Sequence, residues 1–97
     1  MIRIVRMSFK PEHQEDFETL FNERKELIRQ VDGCTYLELW QDEHQPHVYF
    51  TYSVWSHPND LEQYRISPLF KDTWTTVKKW FNESPQAFSA NKRIQLP

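Results

Sequence analysis

The chain has 97 residues, enough for one domain over residues 1–97, whose single layer of helices would leave one face of a sheet uncovered. Its 12 Lys and Arg are scattered and are outnumbered by 14 Asp and Glu, which argues against a protein that binds nucleic acid through its phosphates. Cys34 is the only cysteine, Arg3 and Arg6 interrupt any N-terminal signal peptide, and no apolar run approaches the roughly 20 residues of a membrane span, so a cytoplasmic protein is expected.

The first two predicted elements are a strand and a long helix. The segment "MIRIVRMSF" alternates two sets of side chains and is rich in β-branched residues, which indicates a strand. Pro11 suits the first position of a helix, and the acidic residues after it suit a positive helix N-terminus. Apolar residues recur at helical spacing from Phe17 to Val31, and Gly33, the only glycine, is the predicted stop.

The remaining elements complete a small α+β domain. Two β-rich runs, "CTYLELW" and "HVYFTYSVW", are joined by the polar "QDEHQP", which predicts a hairpin. Pro58 and Pro68 each open a helix, a short one that holds Tyr64 and a longer one that runs to Phe81. Pro85 ends the longer helix, and "AFSANKRI" is the last predicted strand. The order β-α-β-β-α-β predicts a ferredoxin-like fold.

The face of this sheet away from the helices is predicted to be rich in aromatic residues. Alternation places Tyr36 and Trp40 together on the second strand, with Phe50 and Tyr52 or their neighbours on the third. The sequence leaves open which of the two sets of side chains faces away from the helices. Either set keeps several large apolar groups uncovered, and such a patch is typical of an interface. We therefore expect a homodimer that packs face to face.

The segment "YSVWSHPNDLEQYRISPLFKDTW" carries a resemblance to a known family. A strand that ends in an aromatic residue, an acidic short helix and an "SPLF" helix start resemble the antibiotic biosynthesis monooxygenase family of dimeric α+β barrels. The resemblance covers nearly the whole chain in element order. It implies a homodimer whose two sheets form a barrel, with a cleft between sheet and helices in each subunit. Members of the family include cofactor-free monooxygenases, heme-degrading enzymes and proteins that process small signalling molecules.

The heme-degrading branch of the family is not matched by this chain. The resemblance implies an iron-ligating histidine four residues after Phe70, where this sequence has Trp74. It also implies an asparagine where Val5 or Arg6 stands and a tryptophan where Tyr64 stands. An indole has no lone pair to offer iron, so Trp74 cannot replace the histidine ligand. The sequence argues against heme degradation.

Cofactor-free oxygenation asks for a dry pocket, a base and a hydrogen bond to an oxyanion, since an ionised phenol can itself reduce dioxygen. Trp74, Tyr64 and Phe21 are the candidate substrate-binding residues. His57, beside the expected mouth of the cleft, and Arg24, in phase with the apolar face of the long helix, are the candidate catalytic residues. The sequence therefore predicts a monooxygenase for a small aromatic quinol or polyketide-like phenol, with no cofactor.

Purely structural interpretations of these residues also exist. Trp74 has the spacing of a core residue, His57 stands where a residue caps a helix, and Arg24 can extend along its aliphatic stem to solvent. His44 and His47 flank a turn without a rigid acidic or cysteine ligand, so no metal site is predicted. Because buried Tyr and Trp need partners for their polar atoms, we expect Trp74 and Tyr64 to face a cleft, and the adjacent Phe70 to be core.

Two other functional classes remain at this stage. One is a non-catalytic dimer that binds or processes a small signalling molecule in the same cleft. The other is an RNA-recognition module, which has the same element order and would use Tyr49 or Phe50 on its third strand. That strand lacks the glycines and the flanking basic residue of the RNA-binding signature, which argues against nucleic acid as a partner.

Overall fold

The computed structural model covers residues 1–97 and contains an antiparallel four-stranded sheet with helices on one face. The strands are β1 (Ile2–Ser8), β2 (Cys34–Gln41), β3 (Val48–Trp55) and β4 (Gln86–Ala90), in the order β2-β3-β1-β4. The helices are α1 (Gln14–Arg29), α2 (Pro58–Arg65) and α3 (Pro68–Val77). This confirms the predicted α+β ferredoxin-like fold. No helix has the length and apolar character needed to cross a membrane.

Prolines set the starts of α2 and α3, as the sequence predicts, whereas α1 ends at Arg29, capped by Gln30, and not at the predicted stop, Gly33. Pro58 and Pro68 occupy the first turns of α2 and α3, and the Ser67 hydroxyl accepts a hydrogen bond of 3.2 Å from the Phe70 N–H. Gly33 has a φ of +86°, in the left-handed region that favours glycine. A Cβ at this position would also clash with the Asp60 carboxyl group. Gly33 therefore allows the chain to turn from α1 into β2.

Two predicted elements end earlier than expected. The last helix gives way after Val77 to a 3-10 turn over Lys78–Trp80, because Phe81 adopts an extended backbone and pairs with Phe9. The last strand ends at Ala90, although "AFSANKRI" predicts that it continues. Ala90 pairs with Ile2, at the start of β1, so the residues after Ala90 have no partner strand to follow.

The apolar core lies under the N-terminal half of α1. Phe9 is fully buried, and its ring stacks on Phe17 with centroids 4.3 Å apart. Tyr49 is also buried, and its hydroxyl donates a 2.7 Å hydrogen bond to Glu18. A second, smaller cluster joins Trp55 to buried residues of β2 and α2. The buried aromatic residues thus have their polar atoms paired at the edges of the core.

The pairing of the strands fixes which side chains face away from the helices. Trp40 pairs with Phe50, and Tyr52 pairs with Glu38 on one side and Ile4 on the other. We call this surface the open sheet face; its large side chains are those of Ile2, Ile4, Tyr36, Trp40, Phe50, Tyr52, Val54 and Phe88. The Trp40 ring stacks on Tyr52 at 5.0 Å. The structure therefore resolves the alternative that the sequence leaves open, with Tyr36 and Trp40 on the uncovered face.

A β-bulge at the start of β2 places Cys34 and Tyr36 on opposite faces of the sheet. Cys34 pairs with Trp55 and Tyr36 pairs with Val54, so Thr35 is an extra residue without a partner of its own. Cys34 consequently points into the core below the helices, whereas Tyr36 points to the open sheet face.

The prediction that Phe70 is a core residue is wrong, because its side chain is only half-buried and belongs to neither buried cluster.

We expect Phe9→Ala to lower the free energy of unfolding by about 3–5 kcal/mol, the usual cost of emptying a packed aromatic site. Phe70→Ala should cost clearly less, since less of its surface is removed from water. Urea denaturation of both variants at one protein concentration measures the difference, and equal losses would contradict this assignment of the core.

Candidate functional site

A cavity of about 290 Å³ lies between the sheet and the three helices. Of the 19 residues that line it, 13 are hydrophobic. Its floor consists of the helix-facing side chains of β1 and β3, including Val5, Thr51 and Ser53. Val5, Thr51 and Ser53 are short, and space remains between them and the aromatic residues of α2 and α3. The cavity is thus a consequence of small residues on the sheet beneath large residues on the helices.

One wall of the cavity is a continuous series of aromatic rings. Trp55 stacks on Tyr64 at 5.4 Å, and the edge of Phe70 meets Tyr64 at 5.2 Å. Phe70 and Trp74 are nearly parallel at 5.7 Å, and Trp74 meets Phe81 at 5.5 Å. Each ring is held by its neighbours, so the wall keeps its shape without packing onto the floor. Such a wall suits a flat, apolar ligand.

The structure brings together the three predicted substrate-binding residues. Trp74, Tyr64 and Phe21 all line the cavity, from α3, α2 and α1 respectively. Whether they bind a substrate stays a prediction.

The polar atoms of Tyr64 and Trp74 are available to a ligand. Neither the Tyr64 hydroxyl nor the Trp74 indole N–H bonds to a protein group, yet no fully buried side-chain polar atom lacks a partner. Both atoms therefore reach space that water or a ligand can enter. Burial raises the pKa of Tyr64 to about 12. The hydroxyl is thus neutral near pH 7 and can donate a hydrogen bond but cannot act as a base.

The two predicted catalytic residues lie elsewhere. His57 precedes α2, is exposed and does not line the cavity. Arg24 is half-buried between α1 and α3, where its Nη1 donates to Asp72 at 2.8 Å and to the Thr73 hydroxyl at 2.8 Å. Thr73 lines the cavity but Arg24 does not. The catalytic roles of His57 and Arg24 stay predictions, and the structure places neither beside Tyr64.

Two arginines of the cavity were not among the predicted site residues. Arg3 lies on β1 and Arg65 at the end of α2. The alternation of β1 contains the signal for Arg3, because it shares a face with Val5 and Met7, both of which point to the helices. The exposed position of Arg65 at a helix end carries no comparable signal.

The cavity lining contains few titratable groups. Its titratable lining residues are Arg3, Tyr64 and Arg65, so no carboxylate and no imidazole faces this space. No group of three or more His, Cys, Asp or Glu side chains in the structure is placed to hold a metal ion. The cavity offers hydrogen-bond donors and positive charge within apolar walls, and it offers no evident proton acceptor.

These features define a class of protein, a ferredoxin-like domain with an aromatic-walled cavity between sheet and helices. Within that class, the chain belongs to the antibiotic biosynthesis monooxygenase family, whose family model matches residues 1–85. The resemblance expected from the sequence is thereby confirmed. No curated protein matches the sequence.

Solved structures agree with this assignment at the level of the fold. A conserved protein from Methanosarcina mazei Go1 superposes with a TM-score of 0.88 at 22% identity, over 95% of this chain and 92% of that one. A structure named antibiotic biosynthesis monooxygenase has a TM-score of 0.88 at 17% identity, over 97% of this chain and 100% of the other. A Bordetella bronchiseptica protein given the same family name has a TM-score of 0.85 at 22% identity, over 96% of each chain. At such identities the likeness shows the fold alone.

The raised pKa of Tyr64 predicts how stability depends on alkaline pH. In the unfolded chain a tyrosine ionises near pH 10, whereas folded Tyr64 and Tyr49 both have a pKa of about 12. The folded state thus holds these protons more tightly, so their stabilising contribution is complete below pH 10 and is lost as pH rises towards 12. We expect the urea midpoint of Tyr64→Phe to fall less steeply over this range than that of the wild type. Parallel curves would contradict the burial of the hydroxyl.

Proposed function

We propose that this protein is a cofactor-independent monooxygenase that oxygenates a small aromatic quinol or polyketide-like phenol inside the cavity. Membership of a monooxygenase family supports the reaction type. The observation that carries the proposal further is the aromatic wall, in which Tyr64 and Trp74 line a mainly apolar cavity and have donors without a protein partner. A flat phenolic substrate matches both the shape of the wall and its donors.

The proposed reaction needs little from the protein beyond this environment. The anion of an electron-rich phenol or anthrone passes an electron to dioxygen, and the resulting pair combines at carbon. For an anthrone, the ring CH₂ becomes C=O, one oxygen atom enters the product, and the other leaves as water with the two hydrogens. Tyr64 and Trp74 would donate hydrogen bonds to oxygen atoms of the substrate, and Phe21 would support the ring. The apolar lining would keep water from the reactive intermediate.

Arg24 and His57 have different places in this proposal. We propose that Arg24 acts as a positioning residue, because its bonds to Asp72 and Thr73 fix α3, and with it Trp74, against α1. His57 would have to act as a base from an exposed position outside the cavity.

The open sheet face supports the homodimer as a further part of the proposal. Tyr36, Trp40 and Phe88 are 46%, 39% and 55% exposed, which is unusual for large apolar groups so close together. Glu38 lies among them and is already paired, since it accepts hydrogen bonds from the Tyr36 hydroxyl at 2.5 Å and from the Trp40 indole at 2.9 Å. A second copy packed on this face would cover the aromatic groups and complete a barrel.

A non-catalytic role is the second candidate function. The observation that favours it is the lack of any carboxylate or imidazole on the cavity lining. Under this alternative the same cavity would bind or help to process a small aromatic signalling molecule. Ligand binding without oxygen uptake would distinguish it from the monooxygenase.

Oxygen uptake tests the proposed reaction directly. With an anthrone or a naphthoquinol, we expect the purified protein to consume oxygen without added flavin, heme or metal. Trp74→Phe should lower kcat/KM by roughly tenfold, the factor that corresponds to a lost hydrogen bond of about 1.4 kcal/mol. Trp80→Phe is the matched control, because Trp80 packs on His13 and does not line the cavity. The proposal fails if no such substrate is oxygenated, or if both variants lose activity equally.

His57→Ala belongs in the same assay. Loss of oxygen uptake with an unchanged fold would support His57 as the predicted base. Full oxygen uptake would show that His57 is not needed to ionise the substrate.

Light scattering tests the homodimer. We expect twice the mass of one chain at micromolar concentration, and the mass of a single chain for Trp40→Lys, which places a charge in the open sheet face. Leu27→Lys is the control, because Leu27 is 54% exposed on α1, on the other side of the sheet. A wild-type protein with the mass of one chain would overturn the dimer.

A further inference from the structure

We infer that the cavity takes its ligand as an aromatic monoanion, with the oxyanion or carboxylate bound between Arg3 and Arg65. The inference rests on the proposed function in one respect, since it places the ligand in the same cavity. It goes further because it specifies the charge of the ligand and the two arginines that bind the charged group.

Arg3 is a cation in the lining of a mainly hydrophobic cavity. It lies on β1, one of the two inner strands of the sheet, is half-buried and lines the cavity. Its guanidinium donates one hydrogen bond, of 2.9 Å, to the Ser89 hydroxyl, and no carboxylate lies within ion-pair distance. A guanidinium has five N–H donors, so most of the donors of Arg3 have no protein partner. An unpaired and partly buried cation of this kind is stabilised when an anion binds.

Arg65 brings a second positive charge to the same space. It also lines the cavity, and its own ion pair with Glu62 is an exposed contact of 3.2 Å. An exposed pair of this type contributes little, so a bound anion can share the Arg65 guanidinium at small cost. Burial and the nearby charge of Arg65 both lower the pKa of Arg3, while Glu62 opposes them. Both guanidinium groups belong to the lining of one cavity and their charges repel, so an anion between them would relieve that repulsion.

The remainder of the lining favours a single negative charge on an apolar body. No Asp or Glu lines the cavity, and the carboxylate of Glu62, outside the lining, is already paired with Arg65. The aromatic wall, from Trp55 through Tyr64 and Phe70 to Trp74, supports a flat ring system. The neutral Tyr64 hydroxyl adds a donor for an oxygen of the ligand. Naphthoates, phenolates and enolates of fused rings share this chemistry.

The inference also explains how a cavity without a base could oxygenate a phenol. A cation pair favours the ionised form of a bound phenol over the neutral form, and so lowers the pKa of the substrate itself. The proton would leave to water before or during binding, and the phenolate would stay in the cavity. Under this scheme the arginines replace the general base.

The test compares two probes of nearly the same size and shape, the anion 2-naphthoate and the neutral 2-naphthamide. Each is titrated into the wild type, Arg3→Gln and Arg65→Gln, with Kd measured by calorimetry. We expect the wild type to bind naphthoate roughly tenfold or more tightly than naphthamide, equivalent to about 1.4 kcal/mol. Both variants should lose this preference and keep their affinity for naphthamide. Lys71→Gln, which removes one positive charge from an exposed site on α3 outside the cavity, should behave as the wild type.

The possible outcomes separate this inference from the proposed function. Equal binding of the two probes to the wild type, or a preference that persists in Arg65→Gln, overturns the anion inference and leaves the cavity proposal intact. Arg65 is exposed, so its variant carries the test even if Arg3→Gln fails to fold. Tight, arginine-dependent binding of naphthoate without oxygen uptake from any phenol supports the inference and overturns the monooxygenase. Failure of both probes to bind overturns the inference.

Discussion

The alternation of side chains along β1 is the constraint on which both surfaces of this sheet depend. β1 pairs with β3 on one edge and with β4 on the other, so its side chains occupy the centre of each face. Arg3, Val5 and Met7 point to the helices, whereas Ile2 and Ile4 point to the open sheet face. A shift of pairing by one residue would exchange these sets and place the cavity floor in solvent. Cavity and open sheet face are therefore products of one register.

The two ends of the helix layer use aromatic residues in opposite ways. Under α1, Phe9, Phe17 and Tyr49 fill the space above the sheet and exclude water. Under α2 and α3, the rings of Tyr64 and Trp74 contact their neighbours along the wall and leave the space below them open. The packed region stabilises the fold, and the other end of the helix layer keeps a cavity. A division of this kind suits a small domain, which has few residues to stabilise a binding site.

Local signals in the sequence were sufficient for the fold and for part of the candidate site. Prolines, a glycine and hydrophobic periodicity act on neighbouring residues, so the helix starts at Pro58 and Pro68 could be predicted. The cavity depends on the distance between elements far apart in sequence, which periodicity does not contain. Phe70 has the spacing of a core residue but lines the cavity. Arg3 becomes one of two cavity arginines only because the fold brings Arg65, from α2, into the same lining. The exposure of His57 likewise depends on how α2 leaves the sheet.

The bulge at Thr35 has a consequence for how this chain can change over evolutionary time. In a regular strand Cys34 and Tyr36 would share a face, and either the thiol would leave the core or the tyrosine would leave the open sheet face. The extra residue lets one strand serve both environments. Insertions and deletions are thus unequally tolerated at the two ends of β2: the exposed turn after Gln41 can vary in length, whereas loss of a single residue at Thr35 would reassign a side chain from one surface to the other. Alignments of distant relatives should accordingly show gaps at the turn and constant length at the bulge.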